Sequence, residues 1–145
     1  MLEKGADTYQ QVSFLTSDPG KLILLCYRHA ILNLRTAKDE YQLSNYEAKA
    51  KHLQKALDCI GELNSTLDFQ RGGTIAKSLD ALYNYMMRRI LAADIKRDFR
   101  AFEEVIAMLE ELESAWEEIA SPKNTTAPPP PPMISAPAGS RKWSI

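Results

Sequence analysis

Leu79-Asp80-Ala81-Leu82-Tyr83-Asn84-Tyr85-Met86-Met87-Arg88-Arg89-Ile90 carries apolar side chains at Leu79, Leu82, Tyr83, Met86 and Ile90, in steps of three and four. An α-helix returns to the same side every 3.6 residues, so this spacing draws one apolar stripe along one face. Continued outward, the stripe takes in Ile75 on one side and Ala93 on the other. Gly72-Gly73 stands just before it, and two adjacent glycines place a helix boundary there.

Upstream, Tyr46, Ala50, Leu53, Leu57, Ile60 and Leu67 step by fours and threes, interrupted only at Asn64. Ser44-Asn45-Tyr46-Glu47 opens that segment with the S-x-x-E spacing of a capping box. Before it, Ser17-Asp18-Pro19 supplies a side-chain acceptor beside a proline suited to the first helical position. The stripe that follows is Ile23, Tyr27, Ala30, Ile31, Leu34 and Ala37. Downstream, a fourth helix begins somewhere across Asp94 to Asp98 and carries Phe102, Val105, Ile106, Leu109, Leu112, Trp116 and Ile119, flanked by glutamates. No segment alternates with period two, so no sheet is expected. Four helices with short connections make an all-α, antiparallel up-down four-helix bundle. Helices of ~20–25 residues make it a rod with long grooves.

Pro19 is followed by no further proline until Pro122, and the bundle is assigned to residues 19–120. Residues 1–18 form an N-terminal arm. Residues 121–145, with Pro128 to Pro132 in one run, read as a disordered proline-rich tail that cannot bury enough surface to fold. The chain's 18 basic and 19 acidic residues nearly cancel, so no broad field attracts nucleic acid or anionic lipid. No apolar run reaches membrane-spanning length and the N-terminus lacks a signal-peptide core, which makes a cytoplasmic protein the expectation. Cys26 and Cys59 both fall in helical patterns and read as reduced core thiols.

Chemistry finds little purchase. Cys26 and His29 are three apart, but His52 and Cys59 are seven apart, unlike the close ligand pairs of structural zinc sites. A di-iron bundle needs Glu three residues before each histidine, where this chain has Cys26 and Lys49. Gly20-Lys21 lacks the preceding glycine and strand of a phosphate loop. Neither histidine has an assignable nucleophile or orienting acid. The expectation is no enzyme, no catalytic residue, no metal and no cofactor. His52-Leu53-Gln54-Lys55-Ala56 resembles the phosphoacceptor stretch of histidine phosphotransfer domains, except that Ala56 stands where that family places glycine. That domain and an unrelated helical adaptor are the alternative readings.

In chain order, five stretches resemble the FliS flagellin chaperone family across nearly all of residues 9–119. Tyr9-Gln10-Gln11-Val12 leading to Thr16-Ser17-Asp18-Pro19-Gly20-Lys21-Leu22-Ile23 is similar to the family's opening YxxVxxxTxxPxxLI. Leu63 to Asp68 precedes Gly72-Gly73-Thr74-Ile75-Ala76, and Leu79 to Ile90 is similar to LxxLYxYMxRRL. Glu103-Glu104-Val105 and Ala115-Trp116-Glu117-Glu118-Ile119 complete the series. One departure is Arg28-His29, where the family commonly has Asp-Gly after the tyrosine. The resemblance implies a bundle that holds the C-terminal segment of flagellin, prevents its premature polymerisation and works with the flagellar export apparatus. It implies a monomer when free and a 1:1 complex with flagellin.

The cargo groove is expected where apolar residues exceed what the core stripes need. That places Leu22 and Leu25 on the first helix beside Tyr27 and Ile31, and Tyr85 and Met87 on the third beside Tyr83, Met86 and Arg89. Flexible Met and amphipathic Tyr suit an adaptable surface. Tyr9 and Val12 of the arm are assigned to the same groove.

Overall fold

The computed structural model describes residues 19–120. Helix α1 spans Pro19–Gln42, α2 Tyr46–Ser65, α3 Phe69–Lys96 and α4 Phe99–Ala120. The arm, with Tyr9, Val12 and the Ser17-Asp18 cap, and the tail lie outside the described residues.

Cross-helix bonds give the directions. Along α1/α4, Arg28 reaches Glu113 and Glu117 while Lys38 reaches Glu103, so one numbering rises as the other falls. Along α2/α3, Lys49 pairs with Asp94 and Asn64 with Asp80, again antiparallel. Each helix packs on its sequence neighbours and α1 also packs on α4, which closes the up-down bundle. Along α1 and α3 the core stripes hold, with Tyr27, Ala30, Leu34, Ala37, Tyr83, Met86 and Ile90 all sealed from solvent. Phe102, Val105, Ile106 and Leu109 do the same for α4.

Three local expectations are corrected. Ser44 is not an N-cap but the residue that ends α1: it takes a left-handed φ of 64°, its N–H donates to the Tyr41 carbonyl, and the Asn45 N–H donates to the Glu40 carbonyl. That pair of bonds is a Schellman closure, and it leaves Asn45 as N-cap of α2 with its side-chain amide donating to Glu40 instead of capping.

Gly72-Gly73 does not separate α2 from α3. Helix α2 stops at Ser65, with the Thr66 hydroxyl donating to the Leu63 carbonyl, and α3 starts early because the Asp68 carboxylate accepts from the Gln70 and Arg71 N–H groups. The glycine pair therefore lies inside α3, where Gly73 at φ 53°, ψ −126° makes a kink open only to glycine. Finally, the stripes overran their ends: Tyr46, Ala50, Ile75 and Ile119 are exposed rather than core. All four lie within about two turns of a helix end, and Tyr46 packs edge-on against Tyr41 of α1.

The α3/α4 corner repeats the closure of the α1/α2 turn. Arg97 takes a left-handed φ of 55°, the Asp98 N–H donates to the Ala93 carbonyl, and Asp98 Oδ1 then accepts from Ala101 to cap α4.

Candidate functional site

The four seams between neighbouring helices differ in how they are closed. Along α1/α2, Ala30, Ala37 and Ala56 are fully buried and the helices press together closely. Along α1/α4 a ladder of ion pairs runs the length of the seam: Arg28 with Glu113 and Glu117 at 2.8 and 2.7 Å, Arg35 with Glu110, Lys38 with Glu103. At α3/α4, Glu104 accepts from Tyr85 Oη at 2.6 Å and Arg89 Nε at 2.8 Å. Those two bonds hold the Glu104 carboxyl below the usual carboxylate range, and the bond to Glu104 raises the Tyr85 hydroxyl.

The α2/α3 seam has polar ties near its two ends, Lys49 Nζ to Asp94 Oδ1 at 2.6 Å and Asn64 Nδ2 to Asp80 Oδ1 at 2.7 Å. Midway between them the register is apolar. Met87 is seven residues from both Asp80 and Asp94, and Leu57 is eight from Lys49 and seven from Asn64, so both lie on the facing sides. Both are half-buried against the core. Above that floor Leu91 and Ile95 stand 53% and 83% exposed, an i, i+4 pair on one side of α3. On the α2 rim, Ala50 and Gly61, seven before and four after Leu57, are small, and Gln54 between them bonds to Asp58. A Cβ added at Gly61 would meet nothing within 4 Å. The result is a shallow apolar trough whose α2 rim interleaves the small residues Ala50 and Gly61 with Gln54.

The predicted groove residues do not gather there. Leu22, Tyr27, Ile31, Tyr83 and Met86 are buried in the bundle and present no open surface. The tyrosines can be internal because their polar tips find one another: Tyr27 Oη lies 2.5 Å from Tyr83 Oη, and Trp116 Nε1 donates to Tyr27 Oη at 3.2 Å. Burial pushes the Tyr27 hydroxyl up to about 12 against the pull of those bonds, and burial raises Tyr83 as well. Tyr85 and Arg89 belong to the α3/α4 rim, and Leu25 is half-buried on α1. Met87 alone of the set lies in the α2/α3 trough. Leu91 and Ile95, not among the predicted groove residues, are likewise apolar, off the core stripe and exposed.

His52 lies on the α1/α2 seam, partly exposed. Its Nδ1 is 2.9 Å from Asn33 Oδ1, and burial with nearby Lys55 lowers its basicity. Among the described residues no three His, Cys, Asp or Glu side chains gather as a metal site, and no helix is long and apolar enough to cross a membrane.

A family model described as Flagellar protein FliS matches residues 2–123. The chain belongs to the FliS family. It is 36% identical over 124 residues to the flagellar secretion chaperone FliS of Salmonella typhimurium, covering 82% of this chain and 91% of that one. The Vibrio cholerae flagellar secretion chaperone FliS is 38% identical over 103 residues, 71% of this chain and 76% of the relative. That of Bacillus subtilis is 36% identical over 110 residues, 76% and 81%. FliS is a chaperone family, not an enzyme family, and membership takes the place of the phosphotransfer and unrelated-adaptor readings.

Proposed function

We propose that this chain is a cytoplasmic flagellar secretion chaperone that takes the C-terminal segment of flagellin as an amphipathic helix along α2/α3 and keeps it export-competent. The relatives named as flagellar secretion chaperones supply the class of client. The observation that carries the site is the uncovered trough of Leu57, Met87, Leu91 and Ile95 beside the small residues Ala50 and Gly61. A helix laid there covers apolar surface on both partners.

The physics suits a hold-and-release task. A segment destined to pair inside a filament is apolar on one face and associates with other copies when exposed. Folding it against the trough removes that face from water, while the entropy lost on ordering keeps the complex dissociable. No bond is made or broken, so no catalytic group is required. The bundle acts as a monomer in a 1:1 complex that is then delivered to the flagellar export apparatus. Tyr85, Arg89 and Leu25 lie on other faces and serve as secondary contacts where flagellin continues beyond the trough.

Co-purification with flagellin, repeated with flagellin lacking its C-terminal segment, tests this reading. Binding that survives the truncation unchanged refutes it.

A further inference from the structure

Asn33 Oδ1 and His52 Nδ1 stand 2.9 Å apart across the α1/α2 seam, and this contact sets the register of the antiparallel pair. Cys26 is one heptad back from Asn33, and Cys59 is one heptad on from His52. In an antiparallel pair those two displacements lead to the same level, so the same register sets Cys26 opposite Cys59. The layer between them is Ala30 on α1 and Ala56 on α2, both without accessible surface. Alanine at facing positions brings two helices to the short end of the usual ~8–10 Å axial range. Close approach is what a disulfide requires, since its Cα atoms lie ~4.4–6.8 Å apart. Both sulfurs are inside, at 3% and 5% exposure, and these are the chain's two cysteines.

We propose that Cys26 and Cys59 are an oxidation site: a facing dithiol that a peroxide converts to an intramolecular disulfide stapling α1 to α2. One thiolate attacks the peroxide O–O bond, forming a sulfenic acid and releasing water once the thiol proton is counted. The second sulfur displaces the hydroxyl from the first, closing the S–S bond and releasing a second water. Two thiols lose two electrons and two protons, and the peroxide accepts both. Burial slows the first step, because the oxidant enters only when the seam opens. Once closed, the bond spans a loop of about 30 residues and restricts the unfolded chain strongly. Small thiols reverse it by exchange. The staple lies on the α1 side of α2, away from the α2/α3 trough, so this inference is independent of the proposed client site.

The full chain treated with hydrogen peroxide, then alkylated and digested without reductant, is the test. The expected product is a monomer that has lost two hydrogens, yields a peptide joining Cys26 to Cys59, and melts roughly 10 °C higher until reductant is added. Cys26→Ala and Cys59→Ala each abolish the linked peptide and the thermal shift. Thiols that stay unmodified, sulfinic or sulfonic acids without a cross-link, or bonds only between molecules would each overturn the proposal.

Discussion

Tyr27 and Tyr83 meet hydroxyl to hydroxyl at 2.5 Å across the diagonal of the bundle, and Trp116 donates to the same Tyr27 oxygen. One buried atom thus joins α1, α3 and α4. Tyr27→Phe strands both the Trp116 N–H and the Tyr83 hydroxyl, whereas Tyr83→Phe leaves Tyr27 still bonded to Trp116. In urea unfolding, Tyr27→Phe is expected to cost about 2 kcal/mol and Tyr83→Phe about half that. Trp116→Ala, which removes the indole volume as well, is expected to cost about 3–5 kcal/mol.

The same pair sets an alkaline limit. The Tyr27 hydroxyl titrates near 10 in the unfolded chain and about 12 in the folded one, and Tyr83 shifts in the same direction. Below pH 10 both states hold the protons and this contribution is complete. As pH rises from 10 through 12 the unfolded chain releases them first, so stability falls. A doubly substituted Tyr27→Phe, Tyr83→Phe protein should be less stable at neutral pH yet show a shallower loss between pH 10 and 12. Equal slopes in denaturant series across that range would place the titration elsewhere.

The two left-handed closures offer a backbone test. Ser44 holds φ 64° and contributes only a 3.4 Å hydroxyl contact with Tyr46. Ser44→Gly is expected to raise stability by roughly 0.5–1 kcal/mol, because glycine relieves the left-handed cost that serine bears. Gly73→Ala should do the reverse, losing about 1–3 kcal/mol at φ 53°, ψ −126°. Thermal melts of the two variants should move in opposite directions.

These residues also mark how far the sequence could be read. Four apolar stripes were enough for the bundle and its direction, since period 3.6 with short connections admits few alternatives. Boundaries failed where side-chain chemistry competed with pattern. Ser44-x-x-Glu47 has capping spacing, but the backbone used Ser44 to finish α1 first. Asp68 started α3 before the glycine pair that should have preceded it. At the groove the obstacle was different, because core and trough share one periodicity. Periodicity puts Tyr83 on the core stripe and Tyr85 off it, but the Trp116–Tyr27–Tyr83 bonds that let a tyrosine lie inside are not legible in the spacing.

Choice among the four seams yields the sharpest functional test. Leu91 and Ile95 are mostly exposed, so Leu91→Asp and Ile95→Asp should each leave the unfolding free energy from denaturant titration within about 0.5 kcal/mol of the parent. If flagellin's C-terminal helix lies between α2 and α3, each should weaken its binding tenfold or more, about 1.4 kcal/mol. Gly61→Leu fills the α2 wall from the other side, where a Cβ meets only open space, and should weaken binding without lowering the melting temperature. Tyr85→Ala is the comparison, since Tyr85 stands on the α3/α4 rim against Glu104. Calorimetric titration with a flagellin C-terminal peptide separates the two seams. Loss confined to the Leu91, Ile95 and Gly61 variants assigns the client to α2/α3, and loss confined to Tyr85→Ala moves it to α3/α4.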